Sequence, residues 1–297
     1  MSNTARAVIM MIIGMMLIPV GDAFAKLISG VEPYSGAGLA WARFVVGLAV
    51  ALPLALLLSP VRGLSRFFWG SQALRGVLLA AVIGLIIQGA QVAPLADVFG
   101  AFFIGPAIAT LLARFALREQ VDAIDVGAVV LGFLGVLLVV RPGGDINPGL
   151  FWALGAGVCY GGFLTVTRWS AGSGPPFAQL AALTGFGALA LTPLGMPEFL
   201  ELGVRQPGWL LGSGLTSITA NLFAILAFRE ARAGLLNPLV YVQLLSATAL
   251  SLTVFGDALD GLAAIGLALI LLAGLGRFLI PRRPAPTSEP HPEPAPR

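Results

Sequence analysis

The sequence is short of almost everything a water-soluble domain uses at its surface. Only 10% of its 297 residues are charged, against a usual share of about a quarter in soluble domains. It contains one histidine, His291 in the tail, and one cysteine, Cys159 inside an apolar stretch. A lone cysteine excludes an intrachain disulfide and a cysteine-built metal site. A lone tail histidine leaves no imidazole for general-base or metal chemistry among the apolar segments. There is no phosphate-binding glycine loop: Gly155, Gly157, Gly161 and Gly162 lie within an apolar run with no strand before them, and read as helix-packing glycines. No basic patch is present either, so the net charge of +3 is no sign of a nucleic-acid partner.

What fills the chain instead is apolar. Hydrophobic residues make up 58% of it, and the mean hydropathy is +0.94. Unbroken apolar runs fall near residues 7–28, 34–58, 71–88, 92–116 and 122–140. Five more fall near 149–167, 176–195, 207–228, 233–255 and 261–280. At about 20 residues per crossing this predicts an all-α integral membrane protein of ten transmembrane helices. Strand-like alternation is missing, which excludes a β-barrel of the usual pattern. Arg6 followed by Ala7–Val20 and Ala23-Phe24-Ala25 has the form of a cleavable leader, but the repeat described below requires that segment as a first span.

Arginine supplies the orientation. With the N-terminus in the cytoplasm, Arg6, Arg62, Arg66, Arg75, Arg114, Arg118, Arg168, Arg229, Arg232, Arg277, Arg282, Arg283 and Arg297 fall on the cytoplasmic side, and only Arg141 and Arg205 outside. This is the positive-inside pattern of a multi-pass protein of a bacterial inner membrane with both termini cytoplasmic. Residues 281–297 are proline-rich and poor in apolar side chains, as expected of a disordered tail.

The two halves echo each other. Phe24–Gly30 resembles Val166–Gly172, Leu48–Leu54 resembles Ala188–Leu194, and Arg118–Asp122 resembles Gly256–Asp260, in the same order. Five spans per copy is an odd number, so the second copy must cross in the opposite sense. The expectation is two inverted five-helix repeats, residues 1–143 and 144–280, the construction associated with alternating access.

The chain also resembles a known family. Pro94-Leu95-Ala96-Asp97, Gly105-Pro106, Arg118-Glu119 and Gly132–Leu138 followed by Arg141-Pro142-Gly143 are similar to the end of an EamA domain of the drug/metabolite transporter superfamily. Asn237–Tyr241 and Phe255-Gly256-Asp257 match in the second copy, where Asp257 replaces the family's usual glutamate and makes that copy the less typical one. The resemblance implies ten helices, a central cavity between the halves and transport of a small organic solute.

Candidate site residues follow from polarity at membrane depth, which marks a solute path, an ion path or an internal pair. Pro19-Val20-Gly21 interrupts the first apolar segment, and Asp22 and Lys26 follow it one helical turn apart. Asp22, Arg43 and Asp97 fall at similar depth, roughly 8–13 Å below their helix ends at about 1.5 Å per residue. With Lys26 they suit the charged ends of an amphoteric solute, or else form an outer gate, with Lys26 reaching the interface. Gln88 and Gln91 either line an outer vestibule or are interfacial. In the second half the candidates are uncharged: Tyr160, Asn221, Asn237, Tyr241 and Gln243, with Thr167 and Ser217 at helical spacing from Tyr160 and Asn221. Asn237 precedes Pro238, where a proline within a span frees a carbonyl. Trp41 and Trp152 read as interfacial anchors, and Glu119, Asp122, Asp257 and Asp260 as carboxylates favoured at helix starts.

The function expected is secondary transport of an amino acid or amine, with riboflavin or S-adenosylmethionine as bulkier alternatives. It needs no cofactor or metal, and coupling is to protons or to exchange. A lipid-modifying enzyme is disfavoured because Asp22 and Asp97 are the only carboxylates placed within spans.

Overall fold

In a bilayer every backbone N–H and C=O must be satisfied inside the chain, and long apolar segments meet that demand as helices. The computed structural model describes residues 3–29, 34–59, 63–92, 98, 101–140, 148–202, 204–255 and 261–279, and among these it is almost entirely helical with no strand. The helices are α1 (Asn3–Ser29), α2 (Gly36–Leu58), α3 (Arg66–Val92), α4 (Gly105–Phe115), α5 (Ala123–Val140), α6 (Pro148–Trp169), α7 (Pro176–Leu202) and α8 (Pro207–Glu230). The ninth predicted span is composite: α9 (Ala233–Leu236), a 3₁₀ turn (Asn237–Val242), α10 (Gln243–Leu250) and a π-turn (Ser251–Phe255), before α11 (Gly261–Leu279). Six described segments are long and apolar enough to cross a membrane. The protein is an all-α membrane protein.

Several elements differ from expectation for local reasons. Pro19 does not break α1, which runs through to Ser29, and Pro53, Pro193 and Pro197 likewise lie inside their helices. Neighbouring helices accommodate the carbonyls that such prolines free. Helix α3 begins at Arg66, five residues before the predicted apolar start, which carries Arg75 well inside it. The fourth span is broken: a turn at Phe103-Ile104 precedes α4, which starts at Gly105-Pro106. Proline thus marks both interrupted helices, at Pro106 and Pro238, where its missing N–H is harmless in a first turn.

Each principal first-half helix packs against a second-half helix: α1 on α8, α2 on α7, α3 on α6 and α5 on α11. Exchanging the halves would map α1–α8 onto α3–α6 and return the other two pairs to themselves. Glycine permits the closest approaches. A Cβ on Gly14 would meet the Ala220 carbonyl at 3.0 Å, one on Gly135 the Gly266 carbonyl at 2.7 Å, and one on Gly161 the Gly105 carbonyl at 2.8 Å. Gly157 packs against the Phe102 carbonyl in the same way, whereas Gly155 and Gly162 meet only leucine side chains at ordinary distance.

The stacked ends define two faces. One carries the start of α1, the ends of α4, α6 and α8, and the start of α5; the other carries Tyr34, Ser35 and Glu198. At the second face Ser35 caps α2 by accepting from the Gly38 N–H at 3.0 Å, while its own N–H and hydroxyl donate to Glu198. Tyr34 stacks on Phe199 at 4.8 Å.

Gly76 tests the packing. A Cβ there would meet the Gly187 nitrogen at 2.8 Å and the Leu183 carbonyl at 3.0 Å, both backbone atoms of α7, so Gly76→Ala is expected to lower stability by about 1–3 kcal/mol. Gly70→Ala on the same helix meets nothing within 4 Å and should be neutral or stabilising. Thermal unfolding of the two variants side by side checks this.

Candidate functional site

One face of α1 shows where the molecule opens. Met11, Met15, Ile18 and Asp22 succeed one another at intervals of four, three and four, so they share a stripe. Met11 and Met15 are buried, Ile18 is half-buried, and the Asp22 side chain is 59% exposed. The stripe passes from a closed core to an open vestibule toward the face that carries Tyr34 and Glu198.

Arg43 on α2 crosses to Asp22 at the edge of that vestibule. Its Nη1 donates to Asp22 Oδ1 at 2.8 Å, its Nη2 to the Gly21 carbonyl at 3.1 Å, and its Nε to Ser213 Oγ at 3.1 Å. Ser213 Oγ in turn donates to the same Gly21 carbonyl at 2.8 Å. Three helices, α1, α2 and α8, are tied at one guanidinium. Gly21 is required there, since a Cβ would meet Thr216 Oγ1 at 2.8 Å. Charge-assisted bonds of this kind exceed neutral ones in strength. Arg43 is 18% exposed and Asp22 more than half, so the carboxylate is open to solvent while the cation holds it.

Below the vestibule lies a chain of rings. Tyr160 packs on Phe102 at 5.1 Å and on Phe163 at 6.1 Å; Phe102 meets Phe103 at 5.3 Å, and Phe103 meets Tyr241 at 6.2 Å. The two broken spans touch here. Tyr241 donates to the Phe103 carbonyl at 3.3 Å, and Asn237 Nδ2 donates to Thr110 Oγ1 at 3.1 Å. Asn237 Oδ1 and Gln243 Nε2 are buried without a hydrogen-bond partner, which is unusual for buried polar atoms.

The opposite end is sealed by ions. Arg168 at the end of α6 meets Glu119 at 2.6 Å and donates to the Phe228 carbonyl, while Glu119 Oε2 accepts from the Ala233 N–H at 2.9 Å. Arg232 pairs with fully buried Asp125 at 3.0 Å and with Asp122 at 3.8 Å; Arg6 pairs with Glu230 at 3.2 Å. Asp122 and Asp125 exchange side-chain-to-backbone bonds at 2.8 and 3.1 Å, a reciprocal cap on α5. Arg118, with φ of +54°, turns the chain so that Glu119 enters this network.

The structure therefore joins Asp22 to Arg43, and Asn237 and Tyr241 to the fourth span. The remaining expected residues are placed as follows. Asn221 donates to the Ser217 carbonyl of its own helix at 2.9 Å, so that pair serves α8 internally. Gln88 is exposed, Trp152 is exposed, and Trp41 donates to Thr192 at 3.2 Å between α2 and α7. Glu119 and Asp122 are ion-pair partners as well as helix-start carboxylates, and Arg168 and Arg232 are more than topology signals. Arg75, read as a cytoplasmic arginine, is wholly buried in α3. Asp97, Asp257, Asp260, the segment from Arg141 and residues 280–297 lie outside the described residues, as do the side chains of Lys26 and Gln91. Ser213 was missed, although it stands one turn before Ser217 in α8. Arg75 was missed because the span was started too late.

The described residues thus form a helical membrane protein with an exposed carboxylate on one side and a buried aromatic core. Residues 147–276 match the EamA-like transporter family, in line with the resemblance read from the sequence. The match falls on the second half, the half that Asp257 had marked as less typical. A riboflavin transporter of Brucella anthropi is 25% identical over 63% of each chain, so the match spans less than two thirds of that relative. A riboflavin transporter of Rhizobium johnstonii is 26% identical over 68% of this chain and 67% of its own. A solved chain described only as "Crystal structure of protein" has a TM-score of 0.73 at 19% identity, covering 91% of this chain and 95% of that one, and shares the fold.

The sealed end can be tested by a double-mutant cycle on Glu119→Gln and Arg168→Gln. The pair is mostly buried and bonded at 2.6 Å, so a coupling of about 1 kcal/mol in thermal or denaturant unfolding is expected. Additive effects would show that the two side chains act separately.

Proposed function

We propose that the protein is a secondary transporter of riboflavin or a similarly flat, hydroxylated heterocycle, working by alternating exposure of a site between two inverted repeats in a bacterial inner membrane. The observation that carries this reading is the exposed Asp22, held by Arg43, whose Nε in turn donates to Ser213. A carboxylate, a guanidinium and a hydroxyl together accept from and donate to a polyhydroxyl chain or an imide edge. Aromatic side chains below give a planar ring a stacking surface. The two riboflavin-transporter relatives agree with that chemistry. The exchange-symmetric helix pairing supports the repeat, and the arginine-rich sealed end supports a cytoplasmic N-terminus.

A second reading, favoured by the opposite charges of Asp22 and Arg43, is a small zwitterion such as an amino acid bound in place of the ion pair. The two readings separate in vesicles. Reconstituted protein preloaded with riboflavin should accumulate labelled riboflavin by counterflow. Asp22→Asn and Arg43→Ala should each reduce that flux by about 10–100-fold, the worth of a charge-assisted bond. Counterflow of amino acids without riboflavin would select the second reading, and flux that does not saturate would rule out a carrier.

A further inference from the structure

The vestibule leaves one buried cation unused. Arg75 lies in α3, where α3 packs on α6, and is 0% exposed. Its Nε donates to Thr167 Oγ1 at 3.0 Å, its Nη1 to Gln72 Oε1 at 2.6 Å, and its guanidinium carbon sits 5.6 Å from the centre of the Phe163 ring. Nη2 is buried without a partner. Around it Ser71, Gln72, Thr167, Ser170 and Gln179 are buried as well, and none of them carries a charge.

The carboxylates toward the sealed end are engaged by other cations: Glu119 by Arg168, Asp122 and Asp125 by Arg232, and Glu230 by Arg6. Among the described residues Arg75 has no carboxylate at ion-pair distance. A guanidinium keeps its charge in every protein setting, and a buried charge is tolerated when paired. Thr167, Gln72 and a ring supply dipoles, and leave the unit charge uncompensated. Bridging α3 to α6 by hydrogen bonds alone would need only a neutral amide.

We infer that Arg75, with Gln72 and Thr167, is an oxyanion-binding site that takes a carboxylate or phosphate group when α3 and α6 part at the sealed end. In the conformation described the guanidinium is enclosed, so the site rests on the alternating-access reading. An Arg fork matches two oxygens of such a group, and Nη2 is the donor held open for it. The Arg168–Glu119 pair lies one residue beyond Thr167 and ties the same end of α6 to the α4–α5 connection, so it is the contact to loosen first. Two sources share this chemistry: a soluble oxyanion, and the phosphate of an anionic lipid.

The test uses full-length protein in neutral detergent at constant ionic strength, with Arg168→Gln to loosen the seal. Sodium phosphate or acetate should raise the melting temperature of Arg168→Gln saturably by about 3 °C relative to sodium chloride. Arg75→Gln in that background should abolish the rise. Should that variant fail to fold, Arg75→Lys carries the test, because a point charge without the fork should raise the half-saturating phosphate concentration about ten-fold. Phosphatidylglycerol added without phosphate assigns the site to lipid if it reproduces an Arg75-dependent rise, and to a soluble oxyanion if it does not. Equal shifts in chloride, persistence in Arg75→Gln, or an unchanged midpoint in Arg75→Lys overturns the inference. Riboflavin counterflow on the same preparations reports the transport reading separately, so its failure is not confused with loss of the oxyanion site.

Discussion

At membrane depth no water completes a side chain's hydrogen bonds, so Arg43 must find its acceptors within the protein, and it finds them on two other helices. Asp22, the Gly21 carbonyl and Ser213 accept its three kinds of donor, and that one guanidinium fixes α1, α2 and α8 against each other. Gly21 has no side chain because the approach leaves no room for one. The placement of Asp22 at the surface depends on this junction. Removing one partner of a buried charge costs more than the pair contributes, which is why such junctions persist.

The sealed end is built from several ion pairs that link the α4–α5 connection to α6 and to the start of α9. At the other end, among the described residues, Ser35 bonds Glu198 and Tyr34 stacks on Phe199. Between the two ends the broken spans meet at proline, through Thr110 with Asn237 and the Phe103 carbonyl with Tyr241. Irregular backbone at membrane depth occurs where protein or a cavity surrounds it. The unpartnered Asn237 Oδ1 and Gln243 Nε2 are where hydrogen-bonding capacity remains to be filled.

Function in this fold resides in side chains added to a common frame. The structural neighbour shares the frame at 19% identity, whereas the relatives named for riboflavin share about a quarter of their residues over part of the chain. Vestibule chemistry therefore says more about the solute than architecture does. Asp22, Arg43 and Ser213 carry that chemistry, with the aromatic core below them.

Hydrophobicity over twenty-residue windows and the placement of arginine were enough to read the membrane class, the helical fold, the positions of most spans and the polar residues at depth. These properties are local, since each segment must satisfy its own backbone in lipid whatever its neighbours do. Asp22 and Arg43 stood out for the same reason, as opposite charges at one depth, but grouped with Asp97 and Lys26 and with solute binding and an internal gate both open. Tertiary structure alone decided the rest. Only packing could show that Arg75 lies between α3 and α6, that Asn221 turns back on its own helix, and that Glu119 joins Arg168 and the α9 amide. Each depends on the rotation of one helix against another, and rotation is set by where glycines let backbones approach, information spread over residues far apart in the chain.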